Sequence, residues 1–277
     1  MYMNSRYLCP VCASPLTNEG RAYRCENRHS FDVSAEGYVN LAPTGAASGD
    51  NAGDAADSCR ARRCFLESGS YRPLAEGICA LLEEAGVCVP DSFVIDAGCG
   101  EGYYARYVKQ RYPSLDIYGV DLAKQAVRMA AKAQKALPLK NHYAVAGIFD
   151  LPFADGSAAA MISVFAPVPD AEALRVLKPG GVLIAAGPGK RHLFGLKKAL
   201  YDTPTENQEK VPEYAGFAPA QTHRIAYEMH LSGQTAACLF AMTPYFWRSA
   251  ASVREKAAAL TELTTEADFL VKLYRRI

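Results

Sequence analysis

Residues 94–104 read Val94-Ile95-Asp96-Ala97-Gly98-Cys99-Gly100-Glu101-Gly102-Tyr103-Tyr104, an apolar run that closes on an acid and enters a loop with glycine at every second position. Alternate glycines let the backbone take positive φ and leave no Cβ between loop and ligand, and the next helix is expected to open at about Glu101. A ligand is therefore expected to lie on the main chain itself.

The spacing selects among nucleotide ligands. A dinucleotide fingerprint, G-x-G-x-x-G, would need its third glycine where Tyr103 stands, and no Walker lysine follows. The pattern is instead D-x-G-x-G-x-G, with Asp96 ahead of the loop and Asp121 closing the next apolar run, Ile117-Tyr118-Gly119-Val120. A carboxylate about 20 residues beyond such a loop, at a strand end, suits two ribose hydroxyls. Two carboxylates without a phosphate-seeking cation suit a ligand that carries ribose hydroxyls and positive charge, and S-adenosylmethionine has both. Asp96, Gly98, Gly100, Gly102 and Asp121 are thus candidate donor-site residues. Together with Leu151-Pro152-Phe153 and Leu177-Lys178-Pro179-Gly180-Gly181, this series resembles the class I methyltransferase pattern.

The rest of the chain agrees with an α/β fold. Tyr103–Tyr112 and residues 123–136 read as helices, and residues 115–120, 141–146, 158–165 and 182–186 as strands. Such alternation implies a mostly parallel sheet with ligands at the carboxyl ends of its strands. Asp96, Asp121, Asp150 and Phe165 all fall at such ends, and Asp150 is read as an adenine or donor contact. Residues 221–231 and the alternating apolar residues of 264–274 suggest an antiparallel pair. The class I resemblance implies a Rossmann-like, seven-stranded sheet.

Upstream, Cys9-Pro10-Val11-Cys12, Cys25 and His29 form C-x2-C-x12-C-x3-H. Zinc takes four such ligands tetrahedrally, and a two-residue gap lets two thiolates share one turn. A segment this short cannot hold itself by core burial, whereas metal ligation supplies roughly 10 kcal/mol of folding free energy. A structural zinc ribbon is expected over residues 1–42, a flexible linker over 43–60 on the small, polar composition of 44–58, and the methyltransferase domain over 61–277. The remaining cysteines read as small core residues.

Charge is balanced, with 30 basic against 29 acidic residues, so a global basic field is excluded and nucleic-acid contact must rest on local patches. Two stand out. Arg6, Arg21, Arg24 and Arg28 interleave with Tyr7 and Tyr23 on the ribbon, a mixture that suits phosphates and bases or, given the acids nearby, a solvated surface. Arg60, Arg62 and Arg63 open a helical stretch that faces RNA or solvent. No apolar run of membrane-spanning length and no secretory pattern at the N-terminus are seen, so a cytoplasmic protein without a membrane partner is expected.

The zinc ligands, residues 36–41, Ala61-Arg62-Arg63-Cys64-Phe65-Leu66 with Gly69 and Tyr71, the glycine loop and Tyr245-Phe246-Trp247-Arg248 together resemble the bacterial 23S ribosomal RNA guanine-N1 methyltransferases. The resemblance implies a ribbon that helps recognise a 23S ribosomal RNA hairpin, one structural zinc ion, S-adenosylmethionine as donor and a homodimer. It carries donor contacts onto Tyr71, Gly100, Glu101 and His192. For Tyr71, Glu101 and His192 the plainer readings are, in turn, a packing residue, a helix N-terminal acid and a surface histidine. The segment 44–57 departs from the family in being small and acidic.

Guanine N1 carries a proton at neutral pH, so its lone pair becomes available only when that proton leaves. The turn Phe165-Ala166-Pro167-Val168-Pro169 has no titratable side chain. Phe165, Ala166 and Pro167 are acceptor-site candidates whose carbonyls would hold the guanine edge, or else form an ordinary turn. Tyr103, Tyr104 and Trp247 are candidate stacking rings. A small-molecule methyltransferase and a zinc-ribbon RNA-binding protein without turnover are the alternatives.

Overall fold

The computed structural model describes residues 3–43, 56–209 and 212–277. Most of the expected linker, residues 44–55, lies outside the described residues. Its last residues enter the first helix, α1 (Ala56–Glu67), and α2 (Arg72–Glu84) follows.

Four short strands make the ribbon: β1 (Met3–Leu8), β2 (Pro15–Asn18), β3 (Ala22–Arg24) and β4 (Ser30–Asp32), antiparallel in that order. The rest of the chain builds one large sheet from β6 (Phe93–Ala97), β7 (Asp116–Asp121), β8 (His142–Val145), β9 (Ala158–Val164), β10 (Leu177–Pro188), β11 (Phe217–Ser232) and β12 (Glu262–Arg276). Its order is β11-β12-β10-β9-β6-β7-β8, parallel from β10 to β8, with β12 and β11 added antiparallel. The chain order reverses between β6 and β9, which opens a crevice at the carboxyl ends of the strands. An eighth, two-residue strand extends the expected seven. This is β5 (Val39–Asn40), which comes from the segment read as ribbon and pairs in parallel with β8.

The central strands are apolar throughout because both of their faces are covered. All five residues of β6 and all seven of β9 are buried. Along β6 the side chains alternate between two cores, Val94 in one and Phe93 and Ile95 in the other. The first core is filled by Leu74 and Ile78 of α2, Ala105 and Val108 of α3 (Tyr103–Arg111), Val127 of α4 (Lys124–Ala133) and Leu239 of α7 (Gly233–Ala241). The second takes Val176 from α5 (Asp170–Val176) and, from the ribbon, Tyr7, Leu16 and Tyr23. The remaining helices, α6 (Phe194–Leu200), α8 (Pro244–Arg248) and α9 (Ala251–Ala258), lie between β10 and β12 in the chain.

Tyr7 and Tyr23, read as possible base-stacking rings, are buried instead. The physical reason is the ribbon's size: with too little apolar area for a core of its own, it uses its aromatics to dock. Tyr7 stacks on Phe153 at 5.5 Å and meets the edge of Tyr118 at 4.8 Å. Polar bonds fix the register, with Leu8 N–H donating to the Pro152 carbonyl, Arg6 N–H to Tyr118 Oη, and the Arg6 guanidinium to Asp116. Cys59, Cys79 and Cys99 are buried core residues as expected. Cys64 and Cys238 depart from that reading, since a disulfide joins them and links α1 to α7.

Phe153 packs on Tyr7, Phe93 and Tyr118 at once. Phe153→Ala is expected to cost about 3–5 kcal/mol of stability in denaturant unfolding, because it opens a cavity at the junction. Val89→Ala, at a half-exposed position, should stay within about 0.5 kcal/mol.

Candidate active site and metal centre

The glycine loop is held by the two strands that feed it. Gly98 and Cys99 N–H both donate to the Val120 carbonyl at the end of β7, at 2.9 and 3.0 Å. The Asp121 carboxylate accepts from Gly100 N–H through one oxygen (2.9 Å) and from Ala123 N–H through the other (2.8 Å). Loop and second strand end are thereby fixed to each other. Glycine is required for two separate reasons. At Gly98, with φ +77°, a Cβ would stand 2.7 Å from the Ala166 methyl of the proposed acceptor turn, and at Gly102, with φ +72°, it would stand 2.5 Å from Tyr143 Oη. Helix α3 opens at Tyr103 rather than at Glu101, so Glu101 is a loop residue and not a helix N-terminal acid.

Two buried carboxylates lie at this loop. Asp96 Oδ2 and Glu101 Oε2 are both shut from solvent without a hydrogen-bond partner. Burial pushes Asp96 up to about 7, with the charge of Asp121 adding to the effect. Glu101 is also raised by burial to about 7, even though Arg62 opposes the shift. Arg62 Nη1 stands 3.7 Å from Glu101 Oε2, an ion pair too long for a hydrogen bond. Two buried carboxylate oxygens without a partner at one glycine loop fit a cationic ligand, which would supply the missing partner.

Tyr71 and His192 meet at the foot of the same crevice. Both are buried, and Tyr71 Oη lies 3.1 Å from His192 Nε2. His192 Nδ1 is 3.2 Å from Asp268 N–H, which can only donate, so Nδ1 accepts. Burial lowers His192 to about 4, and the neutral ring therefore carries its proton on Nε2 and donates it to Tyr71. The phenol's own hydrogen is then not used in this contact. Asp268 is itself locked, its carboxylate taking two bonds from Arg224 at 2.8 and 2.6 Å.

Phe165, at the end of β9, takes φ +53°, a left-handed conformation uncommon for a bulky residue. Its ring is 47% exposed and lies nearly parallel to Tyr71 at 6.3 Å, with His192 at 5.5 Å. The Ser163 hydroxyl lies 3.3 Å from the carbonyls of both Ala166 and Pro167, so each keeps a second lone pair at most.

Asp150 is exposed on the loop after β8, the next strand end beyond Asp121. Two apolar residues that the sequence reading missed stand out at the strand ends instead, Leu122 after β7 and Phe149 after β8, both exposed. The signal for Leu122 was its place directly after Asp121. Arg62 was singled out only as a basic residue. Of the stacking candidates, Tyr104 is core, while Trp247 is half exposed and donates its indole N–H to Ser58 Oγ.

In the ribbon, one ligand atom from each of Cys9, Cys12, Cys25 and His29 lies within 4.8 Å of every other. Ala13 and Arg28, at φ +55° and +68°, turn the chain just after Cys12 and just before His29. Asn27 Nδ2–H donates to Cys12 Sγ and lowers that thiol to about 5. Three thiols and an imidazole so gathered fit tetrahedral zinc with no open position.

Residues 7–46 match the family described as RlmA, N-terminal, a zinc ribbon, and residues 94–181 match the family described as a methyltransferase domain. The chain is 33% identical over 297 aligned positions to a protein of Micromonospora griseorubida named putative 23S rRNA (guanine-N(1)-)-methyltransferase, covering 97% of each. It is 41% identical to the 23S rRNA (guanine(748)-N(1))-methyltransferase of Streptomyces fradiae over 70% of this chain and 68% of that one. The chain belongs to the 23S rRNA (guanine-N1)-methyltransferase family. A Bacillus subtilis member, YxjB, is 29% identical over 96% of both chains. Family membership makes the chain a methyltransferase that takes S-adenosylmethionine, with zinc in its ribbon.

Two outcomes are expected. Asp96 and Glu101 are protonated below about pH 7 and ionised above it, and a cationic donor favours the ionised forms. Donor affinity should therefore fall as pH drops through 7, with protons released on binding, seen calorimetrically as heats that differ between phosphate and Tris. An opposite slope would count against this electrostatic reading. Purified chain should also carry one zinc ion per polypeptide by elemental analysis, reduced by Cys25→Ser together with thermal stability.

Proposed function

We propose that the chain transfers a methyl group from S-adenosylmethionine to N1 of one guanine in a hairpin of 23S ribosomal RNA. The observation that carries this reading is the docking of a Cys3His ribbon, through Tyr7 and Arg6, onto the sheet that bears the donor loop. A small-molecule methyltransferase has no use for that module. The two relatives matched over nearly their whole length both carry 23S rRNA (guanine-N1)-methyltransferase in their names.

Domain roles follow: residues 1–42 as the RNA-recognition ribbon and 61–277 as the methyltransferase domain, with the boundary crossed by β5. The donor supplies an activated methyl carbon, so the protein's work is positioning and exclusion of water. Asp121 is placed for the ribose hydroxyls, and Leu122 and Phe149 for the faces of adenine. Asp96 and Glu101 complement positive charge, Tyr71 donates its phenol hydrogen, and His192 holds that phenol in orientation. Gly98, Gly100 and Gly102 supply the bare main chain, and Asp150, next to Phe149 at the following strand end, is read as an adenine or donor contact. On the acceptor side, the Phe165 ring offers a surface for the base beside the loop, and the carbonyls of Phe165, Ala166 and Pro167 offer acceptors to the guanine edge. Arg21 and Arg28 on the ribbon, Arg63 on α1 and the face of Trp247 are available to RNA. The reading includes a homodimer acting in the cytoplasm, which rests on the family resemblance. Among the described residues no helix is long and apolar enough to cross a membrane.

Labelled methyl transfer to unmodified large-subunit RNA, mapped by primer-extension arrest, tests the whole assignment. Arrest at one guanine is expected, lost in Gly100→Arg, which puts a bulky cation onto the loop. Donor binding without incorporation into RNA or subunits would redirect the search to a small acceptor or a binding role.

A further inference from the structure

We infer that the Cys64–Cys238 disulfide is a thiol-exchange site: a small thiol entering at Cys64 opens it and thereby lowers affinity for the methyl donor. The inference rests on S-adenosylmethionine being the donor, and is independent of which acceptor is methylated. The link joins α1 to α7 across 174 residues of sequence. Cys64 is exposed and Cys238 half-buried, so the bond lies within reach of a small molecule. By contrast Cys59, Cys79 and Cys99 are buried thiols, and Cys9, Cys12 and Cys25 are gathered with His29 at the metal centre. Exposed disulfides are the labile ones, open to exchange.

The exchange balances with two thiols. The first, as thiolate, attacks Cys64 Sγ, forms a mixed disulfide there and releases Cys238 as a thiolate that takes up a proton. The second attacks the sulfur of the first, frees Cys64 and leaves as the small molecule's own disulfide. The protein link gains two electrons and the two thiols lose them. The same steps run backwards with the oxidised small disulfide.

What the bond braces is the helix that supports the donor crevice. Phe65, next to Cys64, meets the Tyr71 ring edge-on at 4.7 Å. Glu67, three residues beyond Cys64, pairs with Arg106 at 2.7 Å, and Arg106 in turn donates to the Glu101 main-chain carbonyl at 2.5 Å. Two supports of the crevice thus stand within three residues of the disulfide. The opposite end of the bond is anchored: Ala236, Leu239 and Phe240 of α7 are buried, and Gly233 N–H donates to the Thr261 carbonyl at 2.7 Å. Other ties between the helices outlast reduction, among them Ser58 Oγ donating to the Ala241 carbonyl at 3.2 Å. Reduction therefore loosens α1 without unfolding the domain, and donor binding must then order the supports of the loop at a cost in affinity.

Calorimetric titration of the full, zinc-loaded chain with S-adenosylmethionine tests the inference, after incubation with glutathione disulfide and again after reduced glutathione. The state of the link is read by peptide mass and zinc is assayed in both samples. Reduced protein should bind the donor at least about fivefold more weakly, with zinc unchanged, and glutathione disulfide should restore the affinity. The double variant Cys64→Ser, Cys238→Ser should bind like reduced protein and ignore glutathione. In Cys238→Ser alone, glutathione disulfide should place one glutathione on Cys64. Equal affinity in the two redox states overturns the inference, as do a link that glutathione neither opens nor closes, a response that persists in the double variant, or no adduct on Cys64. If the double variant does not fold, the two states of the native chain decide. Native protein that binds no donor in either state overturns both this inference and the donor assignment, whereas thiol-dependent donor affinity without RNA methylation removes only the guanine reading.

Discussion

The Asp121 carboxylate, shared between Gly100 N–H and Ala123 N–H, is the contact on which the site depends. A loop of three alternate glycines has large backbone freedom and would adopt many forms if left alone. Asp121 removes that freedom from outside, since its own position is set by a strand buried on both faces. The rigid sheet fixes the carboxylate, the carboxylate fixes the loop, and the loop can then present backbone to a ligand without paying for order at the moment of binding.

The charges in the crevice follow from that arrangement. Asp96 and Glu101 are carried into the interior by β6 and its loop. Their cost is borne because they are held near neutrality by burial and because a cationic ligand would complete them. On the far side, the chain Arg224–Asp268–His192–Tyr71 carries orientation inwards from an exposed guanidinium to a buried phenol. Each link has a fixed direction, because a backbone N–H can only donate.

Much of this was legible in the residues. The D-x-G-x-G-x-G run with Asp121 defined both the fold and the loop, because special φ values and close approach demand glycine at particular positions. The C-x2-C-x12-C-x3-H spacing defined the metal centre, because tetrahedral ligation constrains gaps along the chain. Illegible were contacts between residues distant in sequence. Arg62 looked like one of three basic residues on a helix, and nothing in α1 says that this position faces Glu101. Tyr7 and Tyr23 looked like ligand-facing rings, and only the ribbon's lack of a core of its own explains their burial. The Cys64–Cys238 link falls in the same class.

The two-residue strand β5 has a role larger than its length. Without it, β8 would end the sheet with its hydrogen-bonding edge open, and an open edge is a template for pairing with other chains. Val39 and Asn40 close that edge. They follow directly on a module whose shape depends on metal, and two residues cannot hold a ladder by themselves. Burial of Val39 and of Leu41 beside it in the second core supplies the rest of the hold, so the residues that leave the ribbon close the very sheet that bears the glycine loop.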